Sequence, residues 1–118
     1  MYSVSVITHF SSAHNLRGYK GKCESLHGHN WKVEAEARSR TLDKTGMVMD
    51  FHLLKDQLRG VLDGLDHKYL NSLPPFKETN PTSENIARYI FTQLKKKVPG
   101  LSSVVVWEND FCRAKYEG

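Results

Sequence analysis

The sequence predicts an α+β fold, in which a four-stranded and largely antiparallel sheet is covered on one face by two helices. Three observations support this prediction. Two segments near the start of the chain alternate polar and apolar residues, two central segments carry apolar residues at helical spacing, and two strand-like segments end the chain. The predicted order of elements is therefore ββααββ, an arrangement of one sheet layer and one helix layer.

The first strand is predicted in MYSVSVITHF, where Tyr2 to Phe10 place apolar side chains on one face by the period of two. If this strand continues without a bulge, Ser12 and His14 share its apolar face. The residues from Leu16 to Glu24 are rich in glycine and charge, which predicts a long loop whose backbone can reach a site.

The second strand is predicted in HGHNWKVEAEAR, which has the clearest alternation in the chain. His27, His29 and Trp31 fall on the apolar face, and Gly28 and Asn30 fall on the other face. This pattern is typical of a half-buried antiparallel strand.

The first helix is predicted after a turn at Asp43 to Gly46, with Asp50 as its cap and Gly64 near its end. Its apolar residues recur at helical spacing: Phe51, Leu54, Leu58, Val61, Leu62 and Leu65. The second helix is predicted in NPTSENIARYIFTQLKKK, with Asn80 or Thr82 as its cap. Its inward residues are predicted to be Ile86, Ala87, Ile90, Phe91 and Leu94.

The last two strands are predicted in VVVWE and CRAKYE, joined by a turn through Asn109 and Asp110. Cys112 alternates with Ala114 and Tyr116 and is interpreted as a packing residue. An open sheet has two edge strands, and unpaired edges invite pairing with another copy of the chain. We therefore expect a homo-oligomer in which the sheet is extended, with a closed barrel as one form.

The bulk composition predicts one domain, residues 1–118, with a modest core, because 118 residues at 39% hydrophobic content suit a single small domain. The formal net charge of +4 favours anionic partners only weakly. The run Lys95 to Lys97 is interpreted as a solvated helix end, where cations meet the negative pole of the helix dipole. We expect no nucleic-acid partner.

The sequence also predicts a cytoplasmic protein. Its N-terminus reads as a strand, without the basic and apolar leader of a signal peptide, and no stretch approaches membrane-spanning length. Without a secretory signal, Cys23 and Cys112 are expected to be reduced thiols.

A metal site is predicted from His14, His27 and His29. Side chains two residues apart on a strand project to the same side, about 6 to 7 Å apart, so His27 and His29 can converge on one ion. His14 can supply a third nitrogen from the neighbouring strand and leave a fourth tetrahedral position open, as in catalytic zinc sites. Neutral imidazoles favour zinc over magnesium or calcium, while copper, nickel and iron stay open on ligand type alone.

Cys23 is interpreted as a partly exposed thiol, because Lys22, Glu24 and nearby glycines argue against burial. A cation beside it would stabilise the thiolate, so that Cys23 could act as a base or nucleophile near neutral pH. In the alternative interpretation Cys23 is a fourth zinc ligand, which would close the site and make it structural.

Two further candidates have less specific signals. Asp66 could orient the imidazole of His67 and raise its basicity, and the plainer interpretation of His67 is a histidine at a helix C-terminus. Glu108 ends the apolar strand VVVWE, where a carboxylate could take two parallel hydrogen bonds from a flat amidine-like ligand edge, or could be an ordinary surface glutamate.

These residues, in this order, resemble the 6-carboxytetrahydropterin and 6-pyruvoyltetrahydropterin synthase family. The resemblance runs along almost the whole chain, in the segments FSSAHNL, CESLHGHNW, GMVMDFHLLK, LDHKYLN, NPTSENIARYI and VVVWE. It implies the tunnelling fold, in which ββααββ subunits join as trimers whose sheets close a barrel, and two trimers stack into a hexamer with sites between subunits.

The resemblance also implies roles for the candidate residues. His14, His27 and His29 would hold zinc, and Cys23 would be the proton acceptor. The other roles are assigned in the same way: His67 as the acid/base partner, Asp66 as its support, Glu108 as the anchor of the pterin ring, and Thr82 and Ser83 as further ring contacts.

The substrate implied by the resemblance is 7,8-dihydroneopterin triphosphate. The segment CESLHGH has three residues between Cys23 and His27, which resembles the carboxy-forming type of the queuosine pathway. That type releases acetaldehyde and forms 6-carboxytetrahydropterin. Elimination of triphosphate to the pyruvoyl product is the alternative, and a non-catalytic pterin- or purine-binding protein with a structural zinc site is the second alternative.

Overall fold

The computed structural model describes residues 1–18 and 25–118. The predicted order ββααββ is confirmed, with two short 3-10 turns, Leu70–Ser72 and Pro74–Phe76, between the helices. The elements are β1 (Tyr2–His14), β2 (His27–Ser39), α1 (Phe51–Leu62), α2 (Ser83–Lys95), β3 (Leu101–Trp107) and β4 (Arg113–Tyr116).

The sheet has the strand order β1-β2-β3-β4, and every neighbouring pair is antiparallel. The β1–β2 register runs without a shift from the pair Tyr2↔Ser39 to the pair His14↔His27. Because no bulge interrupts β1, Phe10, Ser12 and His14 all lie on its buried face, as predicted. The β2–β3 ladder does shift its register, between Glu36 and Ala37.

The core lies between the inner face of the sheet and the two helices. Phe10 and Trp31 stack in its centre with ring centroids 5.9 Å apart. Both helices bury the predicted apolar side chains: Leu54, Leu58, Leu62, Ile86, Ala87, Ile90, Phe91 and Leu94. Phe51, at the first position of α1, differs from the prediction, since 57% of its surface is exposed, and Val61 is only partly buried.

Local hydrogen bonds explain where the helices begin. The carboxylate of Asp50 accepts from His52 N at 2.7 Å, which caps α1 as predicted. Of the two candidates for the second cap, Thr82 takes the position, and its hydroxyl accepts from Asn85 N at 3.1 Å. In the predicted turn before α1, Gly46 adopts a φ of 86°, which favours glycine.

The interpretation of Cys112 as a packing residue is wrong, because Cys112 is exposed. The side chain of Asn109 accepts hydrogen bonds from Phe111 N and Cys112 N, at 2.8 and 2.9 Å. Cys112 therefore lies in this turn, and the β3–β4 ladder begins after it, at the pair Trp107↔Arg113. The alternation of the last strand therefore starts one residue later than the sequence suggested.

The strands β1 and β4 form the two edges of the sheet. Residues 66–69 run along the outer edge of β1 at its C-terminal end, where Ala13 and Tyr69 form a parallel bridge. Ala13 N donates to Lys68 O at 3.0 Å. In the described ranges, the helices all lack the length and apolarity that a bilayer crossing requires.

Candidate metal centre and acid/base pair

The register of the sheet brings the three predicted histidines together at one end of β1 and β2. His14 and His27 are direct partners across the two strands, and His29 lies opposite Ser12. The side chains of partners and of residues two apart share one face of a sheet. The ring centroids of the three histidines consequently lie 4.6 to 5.2 Å apart.

Glu108 completes this group, which the sequence did not indicate. Its Oε1 atom lies 3.3 Å from His14 Nε2 and 3.4 Å from His29 Nε2. The ligand atoms of His14, His27, His29 and Glu108 all lie within 4.8 Å of one another, so this group could hold a metal ion. The sequence places Val104, Val106 and Glu108 two residues apart, so the period of two puts them on one face of a strand, but it does not give the register that brings Glu108 to the histidines.

Backbone carbonyls fix the orientation of two of the rings. His14 Nδ1 lies 2.7 Å from Pro81 O, and His27 Nδ1 lies 2.6 Å from Ser25 O. A carbonyl only accepts hydrogen bonds, so each Nδ1 carries the proton, and in a neutral ring each Nε2 presents a lone pair. Such bonds to the second ring nitrogen are usual for histidines that bind metals.

The two lone pairs face each other, because His14 Nε2 and His27 Nε2 are 3.0 Å apart. At this distance two neutral acceptors repel, and a cation between them removes the repulsion. Nitrogens bound to one zinc ion at about 2.0–2.1 Å in a tetrahedron are roughly 3.3 Å apart. The separations of His14 from His27 and from Glu108 are close to that value.

Burial favours the neutral form of His14 and His29. Desolvation lowers the pKa of His14 below its ordinary value, and the nearby His27 lowers it further, although Pro81 O and Glu108 oppose the shift. Desolvation is also the main cause of the lowered pKa of His29. Neutral imidazole is the form that binds a metal. The electrostatics of the site therefore favour a bound metal ion over a bound proton.

His29 supplies a direct test of whether the residues fit a metal ion. Its Nε2 atom is buried, and within residues 1–18 and 25–118 no group makes a hydrogen bond to it. Glu108 Oε1 is within 3.4 Å but lacks the alignment of a hydrogen bond. Since a buried nitrogen without a partner costs about 1–3 kcal/mol, a metal ion at this position would account for the arrangement.

Asp66 and His67 are in contact, as predicted for an oriented imidazole. His67 Nδ1 lies 3.1 Å from Asp66 Oδ1, and the same oxygen accepts from Ser11 N at 2.8 Å. The bond from Ser11 is the main cause of the lowered pKa of Asp66, so this carboxylate is ionised over the physiological range. The helix α1 ends at Leu62, which places His67 beyond the last turn and argues against a simple helix-terminal role.

The backbone of β1 holds this pair along the end of the strand that carries His14. His67 has a φ of 55°, which is unusual for a residue with a side chain, and His67 N donates to Ser11 O at 2.6 Å. Ser12 Oγ donates to Leu65 O and accepts from Lys68 N at 3.2 Å. The end of β1 therefore positions both His14 and the exposed ring of His67.

Thr82 and Ser83 lie at the start of α2, directly after Pro81, whose carbonyl contacts His14. The Thr82 hydroxyl accepts from Asn85 N, so its proton is free to be donated to another group. Both residues are partly exposed. Their assignment as ring contacts stays a prediction, and Cys23 lies outside the described residues.

An antiparallel four-stranded sheet with two helices on one face, carrying a group of three histidines and a carboxylate, places the chain among α+β proteins with a candidate metal centre. The model of one family, 6-pyruvoyl tetrahydropterin synthase, matches residues 3–118. The chain belongs to this family, whose members act on small pterin molecules.

Individual relatives agree with this assignment. The chain is 42% identical over 113 residues to a 6-carboxy-5,6,7,8-tetrahydropterin synthase of Synechocystis sp., covering 91% of this chain and 86% of the relative. It is 38% identical over 106 residues to a dihydroneopterin monophosphate aldolase of Pyrococcus furiosus, covering 86% of each. The solved structure of the Caenorhabditis elegans 6-pyruvoyl tetrahydropterin synthase superposes with a TM-score of 0.90, at 33% identity and with coverage of 99% of this chain and 95% of that structure.

Proposed function

We propose that this chain is a zinc-dependent 6-carboxy-5,6,7,8-tetrahydropterin synthase. It converts 7,8-dihydroneopterin triphosphate and one water molecule to 6-carboxytetrahydropterin, acetaldehyde and triphosphate, as a step of queuosine biosynthesis in the cytoplasm. The observation that carries the proposal is the pair of facing Nε2 atoms of His14 and His27, 3.0 Å apart, beside the buried Nε2 of His29. The 42% identity to the Synechocystis enzyme of that name supports the choice of reaction.

His14, His27 and His29 would hold the zinc ion. When bound, zinc would supply Lewis acidity that lowers the pKa of the substrate's side-chain hydroxyls and of the neighbouring C–H positions. Cys23 removes a proton from the side chain, and His67 returns one. Asp66 keeps His67 in the required orientation, because its oxygen is held by Ser11 N and contacts His67 Nδ1.

Glu108 anchors the pterin ring by accepting two parallel hydrogen bonds from its amidine edge. Its side chain is 27% exposed, so that a ligand can reach the carboxylate. Thr82 and Ser83, which follow the His14 contact at Pro81, add polar contacts to the ring. The net charge of +4 is compatible with a triphosphate substrate.

The remaining parts of the proposal concern the whole protein. Residues 1–118 form one catalytic domain. The edge strands β1 and β4 pair with those of other copies, which builds trimers and a homohexamer of two trimers.

The decisive experiment is a product assay. The zinc-loaded protein is incubated with 7,8-dihydroneopterin triphosphate, and the products are identified by mass spectrometry together with an acetaldehyde assay. We expect 6-carboxytetrahydropterin and acetaldehyde. A pyruvoyl product would favour the alternative suggested by the Caenorhabditis elegans relative, and the monophosphate is tested as a second substrate because of the name of the Pyrococcus relative.

A substitution separates the catalytic proposal from a structural zinc site. If Cys23 is the proton acceptor, Cys23→Ala retains bound zinc and loses turnover. If Cys23 is a zinc ligand, the same variant releases zinc and unfolds at a lower temperature. Cys112→Ala is the matched control, because Cys112 is exposed in the turn before β4.

A further inference from the structure

The position of Glu108 is not the one expected of a residue that only anchors a pterin ring. Both of its short contacts in the site use the same oxygen, Oε1, which faces His14 Nε2 at 3.3 Å and His29 Nε2 at 3.4 Å. Two ligands of one zinc ion in a tetrahedron are roughly 3.3 Å apart. Oε1 therefore lies at the ligand–ligand distance from two of the three imidazoles.

The side chain of Glu108 is partly exposed beyond the end of β3. Glu108 follows Trp107, the last residue of β3, and its backbone N–H bonds Cys112 O in the turn at 3.2 Å. Its side chain is 27% exposed, whereas that of His14 is 1% exposed and fixed by Pro81 O. Backbone carbonyls hold the rings of His14 and His27, whereas the partly exposed side chain of Glu108 is within reach of a ligand from solvent.

We propose that Glu108 is an exchangeable fourth ligand of the metal ion. With no substrate present, its Oε1 completes the coordination and closes the site against water. When a pterin ring binds, the ring's amidine edge draws the carboxylate away, which opens the fourth position to the substrate's side chain. This inference rests on the metal-binding part of the proposed function, and it assigns Glu108 two successive partners.

Such an exchange couples the two binding events. The carboxylate can serve the metal ion or the ring, so ring binding weakens the Glu108–metal contact, and the metal ion opposes ring binding by the same free energy. Replacing Glu108 by glutamine removes the charged ligand, and we expect the variant to bind zinc at least about tenfold more weakly, in the range seen when a partner of a metal site is lost.

The test uses cobalt(II) as a spectroscopic probe in the full chain freed of metal. We compare the visible absorption bands and the zinc affinity of the wild type, Glu108→Gln and Glu117→Gln. Glu117 is the matched control, because it is exposed and follows Tyr116, whose partner Val104 lies toward the far end of β3 from Glu108. We expect the bands to shift and the affinity to fall in Glu108→Gln only.

The second arm adds 6-methylpterin, which has the ring but no side-chain hydroxyls, and follows its binding by fluorescence. We expect the cobalt bands of the wild type to shift when the ring binds, and those of Glu108→Gln to stay unchanged. If the wild type fails to bind 6-methylpterin, or binds it with unchanged bands, the exchange is overturned.

Three results of the first arm would overturn the ligand assignment. The first is a set of cobalt bands in Glu108→Gln that match those of the wild type. The second is a change of affinity without a change of the bands, which would mean that Glu108 acts through its charge alone. The third is a thiolate-to-cobalt charge-transfer band, which would assign the fourth position to a cysteine. Failure of all variants to bind cobalt or zinc would remove the metal site as a whole. Absence of product from the pterin triphosphate, with the spectra as expected, would remove the proposed reaction and leave the Glu108 assignment intact.

Discussion

His14 and His27 face each other across β1 and β2 with their Nε2 atoms 3.0 Å apart, while the Nδ1 atom of each ring is bonded to a backbone carbonyl. A metal ion between two proton-free nitrogens at this distance would remove their repulsion. The arrangement makes His27 the residue whose loss should most simply abolish metal binding, because His27 lies at the partly exposed end of the group and His14 is buried in it.

We predict that His27→Ala lowers zinc affinity by about 100-fold or more, since it removes a ligand and not merely one of the outer partners, which are worth 10–100-fold. Competition with a chelating dye measures the affinity. His9→Ala is the control, because His9 lies on the opposite, exposed face of β1. Equal affinities for the two variants would contradict the three-histidine site.

The metal-free protein should lose stability as the pH falls from about 7 toward 5. Burial lowers the folded-state pKa of His14 and His29 below the unfolded value of 6.5, so the unfolded chain binds more protons below pH 6.5. The free energy of unfolding therefore decreases as the pH drops through 6.5 toward the folded pKa, and these two groups add no pH dependence above that window. Urea unfolding at a series of pH values, in the presence of a chelator, measures this free energy of unfolding.

The matching variant is His29→Gln, which cannot gain a proton and should flatten part of this pH dependence. A wild-type profile that is flat between pH 7 and 5, or one that rises as the pH falls, would show that the histidines are not held neutral. Asp66 cannot produce the effect, because its lowered pKa places its titration below its ordinary value of 3.8.

Asp66→Asn should reduce turnover by roughly 10- to 100-fold, part of the 10²–10⁴-fold typical of acid/base groups, and should leave zinc affinity unchanged. The amide cannot support a protonated His67 as the carboxylate does, and it weakens the bond to Ser11 N. Steady-state kinetics over a range of pH values tests this prediction, with a shifted acid/base profile as the expected signature. Asp63→Asn is the control, since Asp63 is exposed and pairs with Arg59.

Thr82→Ala should destabilise the protein by about 1 kcal/mol, because the Thr82 hydroxyl caps α2 through Asn85 N. If Thr82 also contacts the pterin ring, the same variant raises KM, and Thr82→Ser restores both properties. Chemical denaturation and kinetics are measured on both variants. A KM unchanged in Thr82→Ala would leave the residue with its capping role alone.

The sequence determined much of the fold, because its signals are local. The period of two in β1 put Ser12 and His14 on the buried face, and the same period in β2 put His27 and His29 on one face. Asp50 and the leucines of α1 predicted a capped amphipathic helix. The three histidines could be grouped from the sequence, because the period of two shows which residues of each strand share a face, and neighbouring antiparallel strands bring those faces together.

Only the tertiary structure decided the rest of the site. Glu108 reaches the histidines because the pairs Val33↔Val106 and Lys32↔Trp107 place it beside the start of β2, and no pattern within either strand predicts that register. The ring orientation of His14 depends on Pro81 O, and the placement of His67 depends on the edge of β1 at Ser11. Cys112 lies outside the last strand because its backbone N–H bonds the side chain of Asn109 in the turn. Periodicity is a property of a few consecutive residues, whereas register, ring orientation and left-handed backbone geometry are set by contacts between distant parts of the chain.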